Sequence, residues 1–397
     1  MSRKAAREDR GHTLVELLVA MGLTLAIMGS LLSLATGLHL GYAAEAERAD
    51  SQQRVRAGVM ALSRDLARAG AGAFQGRIGG TLALPIASVF PFRRGATGAD
   101  PPGTMRPDVV TIIHVLPESP AQTTTAEAFV AQSGTVAIAL DSGCPPGDPA
   151  CAFVAGMDVM IYDETGGYDT FRVVAAQAGS LQLQHTTSDA ARTYAAGARI
   201  VEAASHTYFL RTDPATGAPQ LMHYDGVASD ASVADHVVDL AFEYFGDPSP
   251  PVLVKPVSDP IGPWTTYGPK PPALDVQLPL YPAGENCVFQ VDAEAGQHVP
   301  RLAVLGGAAT ALVPLTAAQL TDGPWCPDAG SPGRYDADLL RIRHIGVTLR
   351  VEASLPSLRG PAGALFARAG TSRDARRFVP DQEVRFDISP RNLVAGR

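Results

Sequence analysis

The sequence predicts an α+β protein in which one long N-terminal α-helix, transmembrane in its first half, packs on an antiparallel β-sheet domain with hairpin elaborations. Three observations predict this. Residues 12–40 form the one long apolar run of the chain. An amphipathic stretch follows it with no proline from Thr13 to Ala69. Beyond Arg106 the chain breaks into short β-branched runs separated by Gly, Asp and Pro.

The helix begins after a polar, basic leader, residues 1–11 (MSRKAAREDRG), in which Arg3, Lys4, Arg7 and Arg10 outweigh Glu8 and Asp9. Positive flanks stay cytoplasmic, so the body beyond the span is expected on the other side. Residues 14–40 carry a single acid, Glu16. At ~1.5 Å per residue they can cross a ~30 Å hydrocarbon layer. A secretory signal has a shorter apolar region followed by a small-residue cleavage site. Here the small residue, Gly11, comes first and Glu16 follows it.

The run RGHTLVELLVAMGLTLAIM resembles the prepilin N-terminal methylation motif shared by type IV pilins, minor pilins and type II secretion pseudopilins. The resemblance implies cleavage between Gly11 and His12 by a membrane-embedded aspartyl prepilin peptidase, followed by N-methylation of His12. Glycine at that position lets the backbone enter a narrow protease cleft. Glu16 becomes the fifth mature residue. A carboxylate in an apolar stretch is costly unless neutralised, and the cationic N-terminus of a neighbouring subunit is its natural partner. The first mature residue departs from the family, which usually has Phe where this chain has His12.

The amphipathic half, residues 42–69, places Val55, Val59, Leu62, Leu66 and Ala69 at alternating spacings of four and three, one apolar stripe of a helix. The whole element, 12–70, is then nearly sixty residues, roughly 85 Å at ~1.5 Å per residue, and Gly70 with Gly72 ends it. The segment ALSRDLARAGAG is similar to the end of this helix in PilW-type minor pilins and J-type pseudopilins.

Residues 71–397 read as a globular domain. GMDVMIYDETGGYDTFRVV is a hairpin turned at Gly166-Gly167, and HTYFLRTDPATGAPQLMHYDG is a second, turned at Asp213–Gly217. VADHVVDLAFEYFGD gives one strand alternating at Val238, Leu240, Phe242 and Tyr244. Residues 339–353 read as a late strand with a helix-to-strand transition at its start, and 377–388 closes the sheet. This order, with the later WTTYGPKPPA, resembles the PilW-like layout: a pilin-like domain, one sheet laid on the C-terminal half of the helix, with inserted hairpins over about 135–203. Residues 246–335 form the least regular region, rich in Pro and Cys.

Composition narrows the function. Of 397 residues, 39 are Gly and 32 Pro, which suits a body of strands and loops. The formal net charge of −8 leaves no global basic field for nucleic acid, which is not expected as the main ligand. Cys144, Cys151, Cys287 and Cys326 all follow the apolar segment, so disulfides are permitted if that body is exported. The spacing of Cys144 and Cys151 suits a local staple that leaves Cys287 with Cys326, although four cysteines allow three pairings. With no CxxC and no nearby His pair, a zinc site is disfavoured.

No GxSxG, HExxH, GxxxxGK[ST] or strand-linked GxGxxG occurs, so no catalytic residue, metal or cofactor is expected. The histidines are scattered: His39 lies near the end of the span, and His114, His206, His223 and His344 lie in strand-like runs and read as structural. The acidic patches Asp163-Glu164…Asp169 and Asp336…Asp338 could in principle bind calcium, but EF-hand alternation is missing; the first reads as a solvated loop in a hairpin turn, and calcium is disfavoured at the second. Tyr244, Phe245, Trp264 and Tyr267 are explained by core and turn packing more simply than by an adhesive surface.

The resemblance thus implies a non-enzymatic minor pilin of PilW type, in the bacterial inner membrane with its N-terminus cytoplasmic and body periplasmic, then in a pilus or pseudopilus. Its partners would be prepilin peptidase, other minor pilins or pseudopilins, the major pilin, the inner-membrane assembly platform and the membrane itself. A J-type minor pseudopilin of type II secretion shares the same N-terminus. A signal-anchored periplasmic enzyme or binding protein is the rival of another class.

Overall fold

The computed structural model describes residues 13–71, 87–94, 106–115, 121–140, 144–162, 168–185, 193–226, 230–250, 285, 287–307, 311–326, 335–359 and 379–394. Gly11, His12, Asp163, Glu164, the Gly166-Gly167 turn, Trp264 and Tyr267 lie outside them. The chain divides into two compact units, residues 1–53 with 352–381, and residues 54–351 with 382–397.

Helix α1, Leu14–Arg68, is a single element of 55 residues. Its composition explains its persistence: Leu, Ala, Met, Glu and Arg dominate, and no Pro interrupts the i→i−4 ladder. It stops where Gly70 turns left-handed at φ 71°.

In the first unit, α1 buries Glu47, whose carboxylate accepts hydrogen bonds from the backbone N–H and from the hydroxyl of Ser354, the latter at 2.6 Å. Around it, Ala43 and Ala44 pack on Ala353, Leu358 and Val379. Arg359 pairs with Glu352 at 2.9 Å and donates to the carbonyls of Ala353 and Ser354, so this short return of the chain supplies its own polar partners.

The second unit contains two large sheets, every recorded pairing in them antiparallel. The larger has ten strands and is organised by Arg199–Thr212, a strand of 14 residues. The first part of this strand pairs with Asp158–Tyr162 and Gln122–Thr124. Its second part pairs with Val110–Val115 and with Pro219–Tyr224. The smaller sheet has four strands in the order Val313–Leu315, Val237–Gly246, Ile342–Val351, Gln382–Ile388.

Two sheets replace the single sheet expected from sequence. The segment read as one strand is divided by His236, whose φ of 59° reverses the backbone between Asp230–Asp235 in the larger sheet and Val237–Gly246 in the smaller. The main core draws on both sheets and on α1, where Leu62, Leu66 and Ala69 are fully buried and Val55 and Val59 pack at its margin. Gly58 marks the closest approach, since a Cβ there would lie 2.8 Å from Leu349 and 3.3 Å from Leu221.

The hairpin region has a core of its own, built from Phe129, Phe153, Phe171, Leu181, Tyr194 and Ile200 among others. The Asp213–Gly217 turn forms as expected: Asp213 accepts from Ala215 N–H and the Thr216 hydroxyl, and Gly217 takes φ 71°. Residues Ala337–Arg341 form a 3-10 turn that runs directly into Ile342–Val351, the helix-to-strand transition read from sequence. Disulfides join Cys144 to Cys151 and Cys287 to Cys326, with Cα atoms 4.4 and 5.3 Å apart. Tyr244 is buried in the main core, edge-on to Phe92, and is not part of a surface patch.

Candidate functional site

The first half of α1 is apolar on every face. Its large side chains from Leu14 to Leu34 are exposed by 55 % at the least, at Met21 and Leu31, and by 78 % at Leu14. The helix is long and apolar enough to cross a membrane. Within it Thr24, Ser30 and Thr36 turn their hydroxyls inward, donating to the carbonyls of Ala20, Ala26 and Leu32 at 2.7, 2.9 and 3.0 Å. Every such bond removes a polar group from an apolar surface.

Glu16 sits in the first turn and is engaged within its own chain. Its carboxylate accepts the Thr13 N–H at 2.9 Å and the Thr13 hydroxyl at 3.1 Å, while the Thr13 hydroxyl oxygen accepts the Glu16 N–H at 3.3 Å. This is a capping box, two orphan helix donors satisfied reciprocally. Its T-x-x-E spacing is a signal in the sequence that the family motif, written over the same letters, conceals.

The second half of α1 carries Asp65, which faces the larger sheet and gathers residues that stand far apart in the sequence. Its carboxylate accepts from Arg64 at 2.8 Å and from the Tyr208 hydroxyl at 2.6 Å, and lies 3.8 Å from His206 Nδ1. His206 Nδ1 is 2.6 Å from His223 Nε2, and the two rings stack at 4.8 Å. His114 stacks on the other side of His206 at 5.2 Å, fully buried, with neither ring nitrogen hydrogen-bonded. Burial drives His114 and His206 down to about 4, so their rings are neutral at pH 7. Burial also pushes Asp65 up, but Arg64, His206 and Tyr208 together outweigh it and hold the carboxyl below its usual range.

The expectation of scattered histidines is therefore corrected. Register explains the assembly: Tyr208 pairs with His223 across the Asp213–Gly217 hairpin, and Ala204 with His114 across the neighbouring ladder, so all three rings share one sheet face. The hairpin register was a usable signal, because the turn fixes which residues face each other.

A second cluster joins Asp322 to Asp336 and Asp338. Burial raises Asp336 to about 7 and Asp338 to about 6. Asp336 already accepts the Gly323 and Asp338 N–H groups at 2.6 and 2.8 Å, and Asp338 pairs with Arg341 at 2.6 Å. Asp336 and Asp338 are thus buried, turn-forming acids with partners of their own. In the other acidic patch, the buried Asp169 accepts the Tyr194 hydroxyl at 2.7 Å.

Compared with known proteins, the chain matches no family model, no curated protein sequence and no solved structure.

Proposed function

We propose that this chain is a type IV pilin-like subunit, a minor pilin of PilW type, that inserts in the bacterial inner membrane and joins an initiating or tip complex of a filament. The observation that carries the reading is the continuous helix Leu14–Arg68, with one acid in its first turn, an apolar surface on all sides after it, and a buried stripe in its last third. In this reading prepilin peptidase cuts between Gly11 and His12 and methylates His12, and the body is periplasmic. The protein acts as a structural subunit without catalysis. Thr13 and Glu16 hold the first turn in shape, and the carboxylate then exchanges part of its capping contact for the cationic N-terminus of a neighbouring subunit.

The test separates capping from charge pairing. Gln at position 16 can still accept from Thr13 but carries no charge. Glu16→Gln is expected to insert in the membrane at normal level with its first turn intact and to be lost from filaments. Normal filament incorporation of Glu16→Gln would sink the proposal. So would an N-terminal peptide mass, measured on protein from cells, that starts at Met1 or beyond Leu40.

A further inference from the structure

We propose that Asp65, His206 and His223 together hold a divalent d-block metal ion, with zinc the ion to test, which pins α1 to two strands of the larger sheet. The donors come from three elements: α1, Arg199–Thr212 and Pro219–Tyr224. One ligand atom from each lies within 4.8 Å of the others. Two imidazole nitrogens and one carboxylate oxygen form a borderline donor set that suits zinc and its neighbours and does not suit calcium or magnesium.

Two of the three spacings lie near the value that a metal sets, and the third, between Asp65 and His223, lies within 4.8 Å. Tetrahedral zinc with bonds of ~2.0–2.1 Å holds its ligands about 3.3 Å apart. The His206 and His223 nitrogens stand at 2.6 Å and the Asp65 oxygen at 3.8 Å from His206, on either side of that value. The hydrogen-bonded imidazole pair shares one proton at this point. On metal binding that proton moves to the far ring nitrogen of whichever histidine carried it, so both rings stay neutral and both facing lone pairs reach the ion.

The surroundings are those of a supported ligand set. Tyr208 donates to the Asp65 carboxylate and orients it, as outer-shell groups do in metal sites. His206 keeps 19 % of its side chain exposed, which provides an entry path. Arg64 opposes a cation, but its side chain is 58 % exposed and can turn to solvent. A self-contained polar network is the competing account. It joins the same groups through the Arg64, Tyr208 and His223 hydrogen bonds and would take up no ion, so ion binding itself separates the two accounts.

The experiment uses the full chain in detergent, without a polyhistidine tag, and zinc or cobalt(II) chloride as probe. Stoichiometric zinc after dialysis, a rise in melting temperature with added zinc, and visible cobalt bands of a low-coordinate nitrogen–oxygen site are expected. His206→Gln and His223→Gln should each lose these signals, and Tyr208→Phe should weaken zinc binding ~10–100-fold. His114→Phe should keep them. Absence of zinc binding in the wild type, or undiminished binding in the His206→Gln/His223→Gln double variant, would overturn the assignment. If the variants fail to fold by circular dichroism, the wild-type cobalt spectrum decides alone: bands of an all-oxygen octahedral site count against it.

Discussion

The two ends of α1 obey the same backbone rules in different surroundings. Between Leu14 and Leu34 the helix exposes every large apolar side chain and turns its hydroxyls back onto its own carbonyls. Between Val55 and Ala69 it buries a narrow stripe and commits polar residues to partners in other strands, as Asp65 does with Tyr208. The difference shows what each end requires. The first needs only length and apolarity, whereas the second needs particular shapes at particular positions.

Substitutions that are equal in chemistry should therefore differ in effect. Leu66→Ala removes a fully buried side chain and is expected to lower unfolding free energy by about 2–5 kcal/mol in denaturant titration. Leu25→Ala, on an exposed surface, should leave that transition in place. Equal losses at both positions would erase the contrast.

Glycines sharpen it next. Gly58→Val forces a side chain against Leu349 and Leu221 and should cost about 1–3 kcal/mol. At Gly22 and Gly29 a Cβ would meet nothing within 4 Å, so Gly29→Val should cause no overpacking and no change in the melting of the body.

At the very start of the helix the effect is smaller and local. Thr13→Val deletes both hydroxyl contacts of the capping box and should weaken the first turn by about 0.5–2 kcal/mol, read as faster amide exchange over residues 14–17.

A pH-dependent effect concerns buried acids of the body, the counterpart of the exposed Glu16. Burial raises Asp336 to about 7 from an unfolded value of about 3.9, so the native state binds the proton more tightly. Its contribution to stability is full below about pH 4 and is lost as pH rises through about 7. Asp322 and Asp338 add like charge, and Arg341 neutralises Asp338. Asp336→Asn should flatten the decline of melting temperature between about pH 4 and 7; an unchanged slope would assign that decline elsewhere.

Much of α1 was legible because helical structure is local. The stripe Val55, Val59, Leu62, Leu66 and Ala69 follows a period that needs no knowledge of the rest of the chain, and the Asp213–Gly217 turn likewise carries its own chemistry. The division into two sheets was not legible, since it depends on one positive φ at His236, a residue type that tolerates it without demanding it. The cluster of Asp65, His114, His206 and His223 was hidden for a related reason. Its members are distant in sequence, and only sheet register makes them neighbours. Capping at Thr13 and Glu16 was visible in the spacing but masked by a stronger motif covering the same letters.

Glu47 and Ser354 meet across 307 residues of chain. During synthesis Glu47 emerges 307 residues ahead of Ser354, which satisfies it. For most of that time its carboxylate stays in water, and the return segment around Leu358 and Val379 has no platform until it is made. Loop-closure entropy grows with chain length, so this contact is expected to form after the hairpins of the body, whose contacts are short in sequence. Chains truncated before Ser354 should therefore keep the hairpin core and leave Glu47 open to solvent.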